Sequence, residues 1–543
     1  MKKILYVLLA YLMFFPSAYG QEQAADLILL NGKVFTSDPA QPKAEAIAIR
    51  GERILAVGSN DEIKKLASSK TRSIDLGRRT VTSGFNDAHT HFMPKPAGFE
   101  LKFKDMEPSW AEVVEAIKNA VKESPKGNWI FGSIGSKAMA TAEATRFTLD
   151  RIAAEHPVFL GTYYGHGQII NSKAMQSFGI SETQADALGG YFERDATTKR
   201  INGRIFEYAQ WRQNRALAEM VSDEDAIREL RKMAEEAVSL GVTTLQIMPT
   251  VRIEKFVRLL ERADLPIRIR AIPFSLTDAK KRDLSEIQQL AKLKIANRKI
   301  SANGIKWILD GTPFERAAAM RQPYADAPNE RGRLNFTDAK IAKMLRESIA
   351  FRQPILFHAA GDRTVEAILS AMENIKTVDW RTKRVRIEHG EGVTTDLMER
   401  AKRLGVIVVQ NPTHLALPEM LHARFSPDNK FSQVRSLIDG GIPFALGSDG
   451  PMNPFLNVML AAIHPARPSE AISREQAVSA YTSGSAYAEF AENEKGSITK
   501  GKLADLTVLS QDIFGVPIPE LPKTQSALTL VGGRVVYDAK VLK

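Results

Sequence analysis

The chain has 543 residues, 44% of them hydrophobic and 25% charged, with a formal net charge of +11 and no cysteine. The length exceeds what one small core can organise, and suits a barrel of roughly 250 residues with insertions and a smaller companion unit. The missing cysteines exclude disulfides, thiolate metal ligands and a cysteine nucleophile.

In chain order, residues 1–20 stand apart. Lys2 and Lys3 precede an apolar stretch, Ile4 to Phe15, which Pro16 ends. Ala18-Tyr19-Gly20 then places small residues before Gln21. This is the layout of a secretory signal peptide, too short for a good membrane span. It predicts export, most simply to a periplasm, with no stable membrane span after its removal. Without Lys2 and Lys3 the charge falls from +11 to about +9. A surplus of that sign favours acidic substrates or anionic surfaces. The basic residues are nevertheless dispersed among acids, as in KFVRLLERADLPIRIR, which argues against nucleic-acid binding.

Residues 24–80 read as short strands around turn signals such as Asn31-Gly32 and Arg50-Gly51. Residues 496–543 do the same, and LLNGKVFTSD near the start parallels LVGGRVVYDA near the end. One small β-sandwich made from both termini is expected, with residues 81–495 inserted between its halves. Inside, short apolar runs alternate with amphipathic helices, which predicts an α/β fold with a parallel sheet. Eight strands are read near VTSGFNDAHTH, TTLQIMP, IRIRAIPF, GIKWILDG, QPILFHAAGD, RVRIEHG, VIVVQNPTH and PFALGSDGP. They predict a (β/α)8 barrel like that of triosephosphate isomerase, with a large insertion, about residues 93–235, after its first strand.

The chain has nine histidines, and their positions carry the chemistry. His89 and His91 end the first predicted strand, His358 the fifth and His389 the sixth, while Lys306 lies in the fourth and Asp449 closes the eighth. Barrel active sites collect at the carboxyl ends of the strands. Residues i and i+2 of a strand share a side, so His89-Thr90-His91 aims two imidazoles at one point, as a metal requires. Asp449 is the candidate general base and acid, able to take a proton from water and pass it to a leaving amine.

GFNDAHTHF, GIKWILDG, FHAAGDR, RIEHG, VVQNPTH and LGSDGP are similar to the motif series of the amidohydrolase superfamily. GHGQIINSKAM and GSITKGKLADLTVL resemble its YtcJ-like branch, amidohydrolase family 3. The resemblance runs from about residue 26 to the end. It implies two divalent metal ions, usually zinc, with His89 and His91 on one, His358 and His389 on the other, and Asp449 beside the first. Lys306 occupies the place of a lysine that, in relatives, bridges the two metals. An ammonium has no lone pair, but a neutral buried amine can add carbon dioxide to become a carboxylated, anionic bridge. The alternative is a structural lysine paired with Asp310, or, if Lys306 does not bridge, an acid such as Glu207.

Beyond these, His166 and His414 are candidates for substrate contact, and Asp87 for supporting the first-strand histidines. One stretch departs from the family: DGTPFERAAAM puts Phe314 and Glu315 where relatives carry small residues, so a relative's substrate choice does not transfer. The reaction expected is hydrolysis of an amide or related C–N bond in a small molecule, by an enzyme for which homo-oligomerisation is compatible. Ester, lactone or deaminase chemistry at the same site stays open, as does a non-catalytic periplasmic metal- or solute-binding protein.

Overall fold

The computed structural model describes residues 24–425 and 430–542. The expected signal peptide, residues 1–20, lies outside them, and among the described residues no helix is long and apolar enough to cross a membrane.

Strands Leu27–Leu30, Ala46–Arg50, Arg53–Gly58 and Arg72–Asp75 form a four-stranded sheet. A second, six-stranded sheet joins strands from opposite ends of the chain. In it Thr80–Ser83 pairs antiparallel with Leu506–Leu509, Thr82 facing Thr507, and Ser526–Val531 and Arg534–Asp538 continue the sheet. Leu29, Ile47, Val81, Leu506 and Leu528 share one core beneath both sheets. Neither end could bury these residues alone.

The central fold is TIM-barrel-like, but its strands lie in two parallel sheets rather than one evenly paired ring. One sheet takes Phe85–Phe92, Val242–Pro249, Arg268–Ala271 and Ile300–Ala302; the other takes Ile305–Ile308, Ile355–Ala359, Arg386–His389, Ile407–Gln410 and Phe444–Leu446. The break falls at Gly304, the first residue of the expected fourth strand GIKWILDG, and Ile300–Ala302 is a strand that the sequence reading did not include. Gly304, at φ +88°, turns the chain between Ile300–Ala302 and Ile305–Ile308, a conformation that glycine adopts without a side-chain clash. Single backbone bonds join the sheets on either side: Lys306 N to Pro273 O at 3.0 Å, and Asp449 N to His89 O at 2.8 Å. The second of these bonds ties two site residues together directly.

Between the first two barrel strands, strands from Gly98–Glu100 to Ile201–Glu207 build a further six-stranded sheet. Helix Trp110–Glu123 starts at a capping box of Ser109 and Glu112 and packs Val113, Ile117 and Ala120 with Ile130, Val158 and Leu160. The last strand delivers Glu207, from which helix Tyr208–Met220 departs.

The shared terminal core gives the first prediction. Leu506 is fully buried, so Leu506→Ala should lower stability by about 2–5 kcal/mol, read as a shifted urea midpoint. An unchanged midpoint would show that this core adds nothing to the folded chain.

Candidate metal centre

The histidines at the strand ends meet. Ring centroids of His89 and His91 are 5.3 Å apart, of His89 and His389 4.8 Å, of His358 and His389 4.3 Å, and of His389 and His414 5.1 Å. Each first-strand ring is oriented by its Nδ1. His89 Nδ1 lies 2.6 Å from Glu388 Oε2, and His91 Nδ1 lies 3.2 Å from the Met248 carbonyl. With Nδ1–H donated, both Nε2 lone pairs are left to ligate. They converge on Asp449 Oδ1, at 3.7 Å from His89 and 3.2 Å from His91. His358 Nε2 is 3.2 Å from the Gly311 carbonyl, which leaves its Nδ1 for a ligand. His389 Nδ1 is buried with no hydrogen bond among the described residues and lies 4.0 Å from Asp449 Oδ2.

Electrostatics favours neutral imidazoles beside ionised acids. Burial, then the neighbouring His166 and Lys306 charges, hold His358 well below its ordinary value; burial and the adjoining histidines do the same to His389. Burial alone would raise Asp449, but His89, His414 and His91 hold its carboxyl well below the usual range. Burial takes Lys306 down to about 8 against the opposing pull of Glu388 and Asp449. Its Nζ is enclosed without a hydrogen-bond partner among the described residues. Two buried orphan nitrogens, neutral imidazoles and an ionised carboxylate in one place are the donor set of a divalent cation.

Two of the ligand positions are bought with backbone strain. His389 has φ +71° and Asp449 φ +50°, left-handed values that cost a non-glycine residue about 1–3 kcal/mol and recur at functional sites. In return, the turn at His389 lets adjacent residues both serve the site, where a continuing strand would point them apart.

Asp87 acts through the main chain: its Oδ1 accepts from Ser448 N at 2.8 Å and His89 N at 3.2 Å. Asp310 is spoken for by backbone N–H groups of Ala319, Ala360 and Gly361 and by Thr364, so it is not a hydrogen-bonded partner of Lys306. His414 has carboxylates at both nitrogens, Glu391 Oε1 at 3.0 Å from Nδ1 and Asp449 Oδ2 at 3.4 Å from Nε2. Burial alone would lower its pKa, but Asp449 and Glu391 raise it to about 10. His166 gives Nδ1 to Glu207 Oε1 at 2.9 Å, and its ring lies 4.6 Å from that of His358. With Glu207 and Glu315 it lines a cavity of about 490 Å³.

Glu388 and Glu391 escaped the sequence reading, although both lie within two residues of His389. Alternation held the missing signal. Arg386 and Glu388 share the interior side of their strand and form a fully buried pair, Nε to Oε1 at 2.8 Å. A carboxylate so placed implies a partner beyond the arginine, and that partner is His89.

A model of the amidohydrolase family matches residues 72–537. The chain belongs to this family. Similar proteins include an N-substituted formamide deformylase of Arthrobacter pascens, 27% identical over 95% of this chain and 99% of that protein. A putative amidohydrolase, YtcJ, of Bacillus subtilis is 25% identical over 93% of this chain and 98% of its own length. Among solved structures, an uncharacterized metal-dependent hydrolase from Pyrococcus horikoshii superposes with a TM-score of 0.71 at 20% identity, covering 91% of this chain and 99% of that one. This amidohydrolase is therefore a metal-binding hydrolase of C–N bonds, with a donor set to match.

Glu388→Gln keeps the shape but loses the charge that orients His89. Zinc affinity, measured by competition with a chromogenic chelator, should fall about 10–100-fold. Unaltered affinity would assign Glu388 to the barrel floor alone.

Proposed function

We propose that this amidohydrolase cleaves an amide or closely related C–N bond of a small molecule with two divalent ions, most simply zinc. His89, His91 and Asp449 would hold one ion, and His358 and His389 the other. Carboxylated Lys306 would span them. The observation that carries the reading is that Lys306 Nζ and His389 Nδ1 are buried with no hydrogen-bond partner among the described residues, while His89 and His91 are hydrogen-bonded through Nδ1. The amine of Lys306 is poised for carboxylation because burial depresses it to about 8. Adding carbon dioxide to the neutral amine releases one proton and replaces a donor-only group with two anionic oxygens.

When bound, such a metal pair makes a water acidic and polarises the scissile carbonyl. The proton traffic falls to the chain. Asp449 takes a proton from the attacking water as the C–O bond forms, and returns it to the nitrogen as the C–N bond breaks. The products are a carboxylic acid and an amine. His414 is better placed to orient Asp449 than to meet substrate, since Glu391 and Asp449 occupy both its nitrogens. Substrate contact is assigned to His166, whose Nε2 has no hydrogen bond and whose side chain lines the cavity. The signal-like leader supports periplasmic action.

The test contrasts scaffold with catalyst. Lys306→Ala should lose turnover and at least one metal by elemental analysis, and short carboxylic acids should restore part of both. Asp449→Asn should retain most metal through the remaining ligands while turnover falls roughly a hundredfold or more. Both metals and near-normal turnover in Lys306→Ala would end the bridging assignment. A zinc-loaded wild type that turns over esters or amidines but no amide would end the amide reading.

A further inference from the structure

One wall of the 490 Å³ cavity takes no part in the chemistry above. Phe206 and Tyr191 stack with centroids 4.7 Å apart at 14°, and the Arg333 guanidinium lies 4.3 Å from the Tyr191 centroid. Arg333 is exposed at the cavity's edge. Among the described residues its side chain makes this ring contact and no ion pair.

The backbone that carries Arg333 is fixed. Arg331 O accepts from Met320 N at 2.8 Å, Glu330 O accepts from Tyr324 N at 3.0 Å, and Arg333 N donates to Ala317 O at 3.2 Å. Gly332 has φ +62°, and a Cβ there would fall 2.0 Å from the Ala318 carbonyl oxygen, so glycine alone lets the strap lie this close. Ala317 ends the Gly311–Ala317 loop in which this sequence departs from its relatives. The departing loop is thus the anchor of Arg333.

The other arginines and the histidine that line the cavity have acidic neighbours. Arg204 pairs with Glu193 at 3.1 Å, Arg316 with Asp326 at 2.8 Å, and Glu207 with His166 at 2.9 Å. Glu315 accepts from Thr312 N at 2.7 Å. At the rim, Glu330 and Arg331 offset each other in charge, and the Arg333 guanidinium has no ion pair among the described residues. A guanidinium lying over an aromatic face keeps its N–H edge for an anion, and its fork matches a carboxylate.

We propose that this amidohydrolase selects amides whose end remote from the scissile bond carries a carboxylate, and that Arg333 binds that carboxylate. The assignment rests on the hydrolase reading above. The net charge of +11 supports it by drawing anionic molecules to the surface.

The test uses two substrate pairs that differ by the carboxylate: 4-acetamidobutyrate with N-butylacetamide, and N-methylsuccinamate with N-methylbutyramide. In the zinc-loaded wild type, kcat/KM for the anionic member should exceed that of its neutral partner about tenfold or more in at least one pair. Arg333→Gln should bring that ratio towards one, chiefly through KM. Arg50→Gln, which removes the same charge from an exposed position on the terminal sheet, should keep it. Calorimetry on the metal-free chain, where no turnover occurs, should show the same preference and the same loss in Arg333→Gln. Equal wild-type values within both pairs, or a preference that survives Arg333→Gln, overturn the proposal and leave the hydrolase reading standing. No turnover of any amide, with the calorimetric preference intact, removes the hydrolase reading and keeps Arg333 as an anion site.

Discussion

The buried ion pair between Arg386 and Glu388 is the constraint on which the site depends. Neither side chain reaches solvent, and the guanidinium meets both carboxylate oxygens, at 2.8 and 3.0 Å. The same arginine donates to Gln246 Oε1 at 2.6 Å and to the Ala88 carbonyl at 2.8 Å, and Arg270 reaches Gln246 at 3.1 Å. Four barrel strands are tied together beneath the histidines. Such a pair adds little net stability, because two charges have left water, but removing one member strands the other at a cost of about 3–5 kcal/mol. Its value here is positional. Glu388 stays ionised against its burial and so can hold His89 by Nδ1, and the local dielectric it shares with Lys306 decides that amine's protonation.

Above this floor, labour is divided between regions of the chain. The barrel strands supply donor atoms in a rigid frame. The inserted sheet supplies Glu207, held at φ +54° where a side chain is strained, and through it the orientation of His166. The loop after Ile305–Ile308 and the strap it anchors supply the cavity's outer charge. Donor atoms and outer cavity charge are thus carried by separate segments.

The strand ends were legible in the sequence because strand periodicity and barrel topology both act on a scale of a few residues. The sequence puts His89, His91, His358 and His389 at strand ends, and in the structure the rings of neighbouring pairs lie 4.3–5.3 Å apart. The joining of the two termini was legible for a similar reason, as each end carries half of a hydrophobic face. What escaped was set by side-chain partnership across the barrel. Glu388 looked like one acid among many until Arg386 and His89 were seen beside it. The engagement of His414 by Glu391 and Asp449, and of His166 by Glu207 across 41 residues, depends on tertiary neighbours that no local pattern encodes. Strand Ile300–Ala302 was missed because three residues are too few for alternation to register.

The joined termini also set an order of events during synthesis. The Arg53 side chain donates to the carbonyl of Gly501, 448 positions away, and Thr80–Ser83 finds its antiparallel neighbour only in Leu506–Leu509. On a ribosome, Lys33–Phe35 and Thr80–Ser83 must wait for nearly the whole polypeptide before their sheet can be completed. The barrel and its inserted sheet can condense in the meantime, and the terminal unit closes last, as a clasp. A stalled or truncated translation product therefore exposes the unpaired edge of Thr80–Ser83, the kind of edge that recruits other strands, and quality control would meet it as an unfinished molecule.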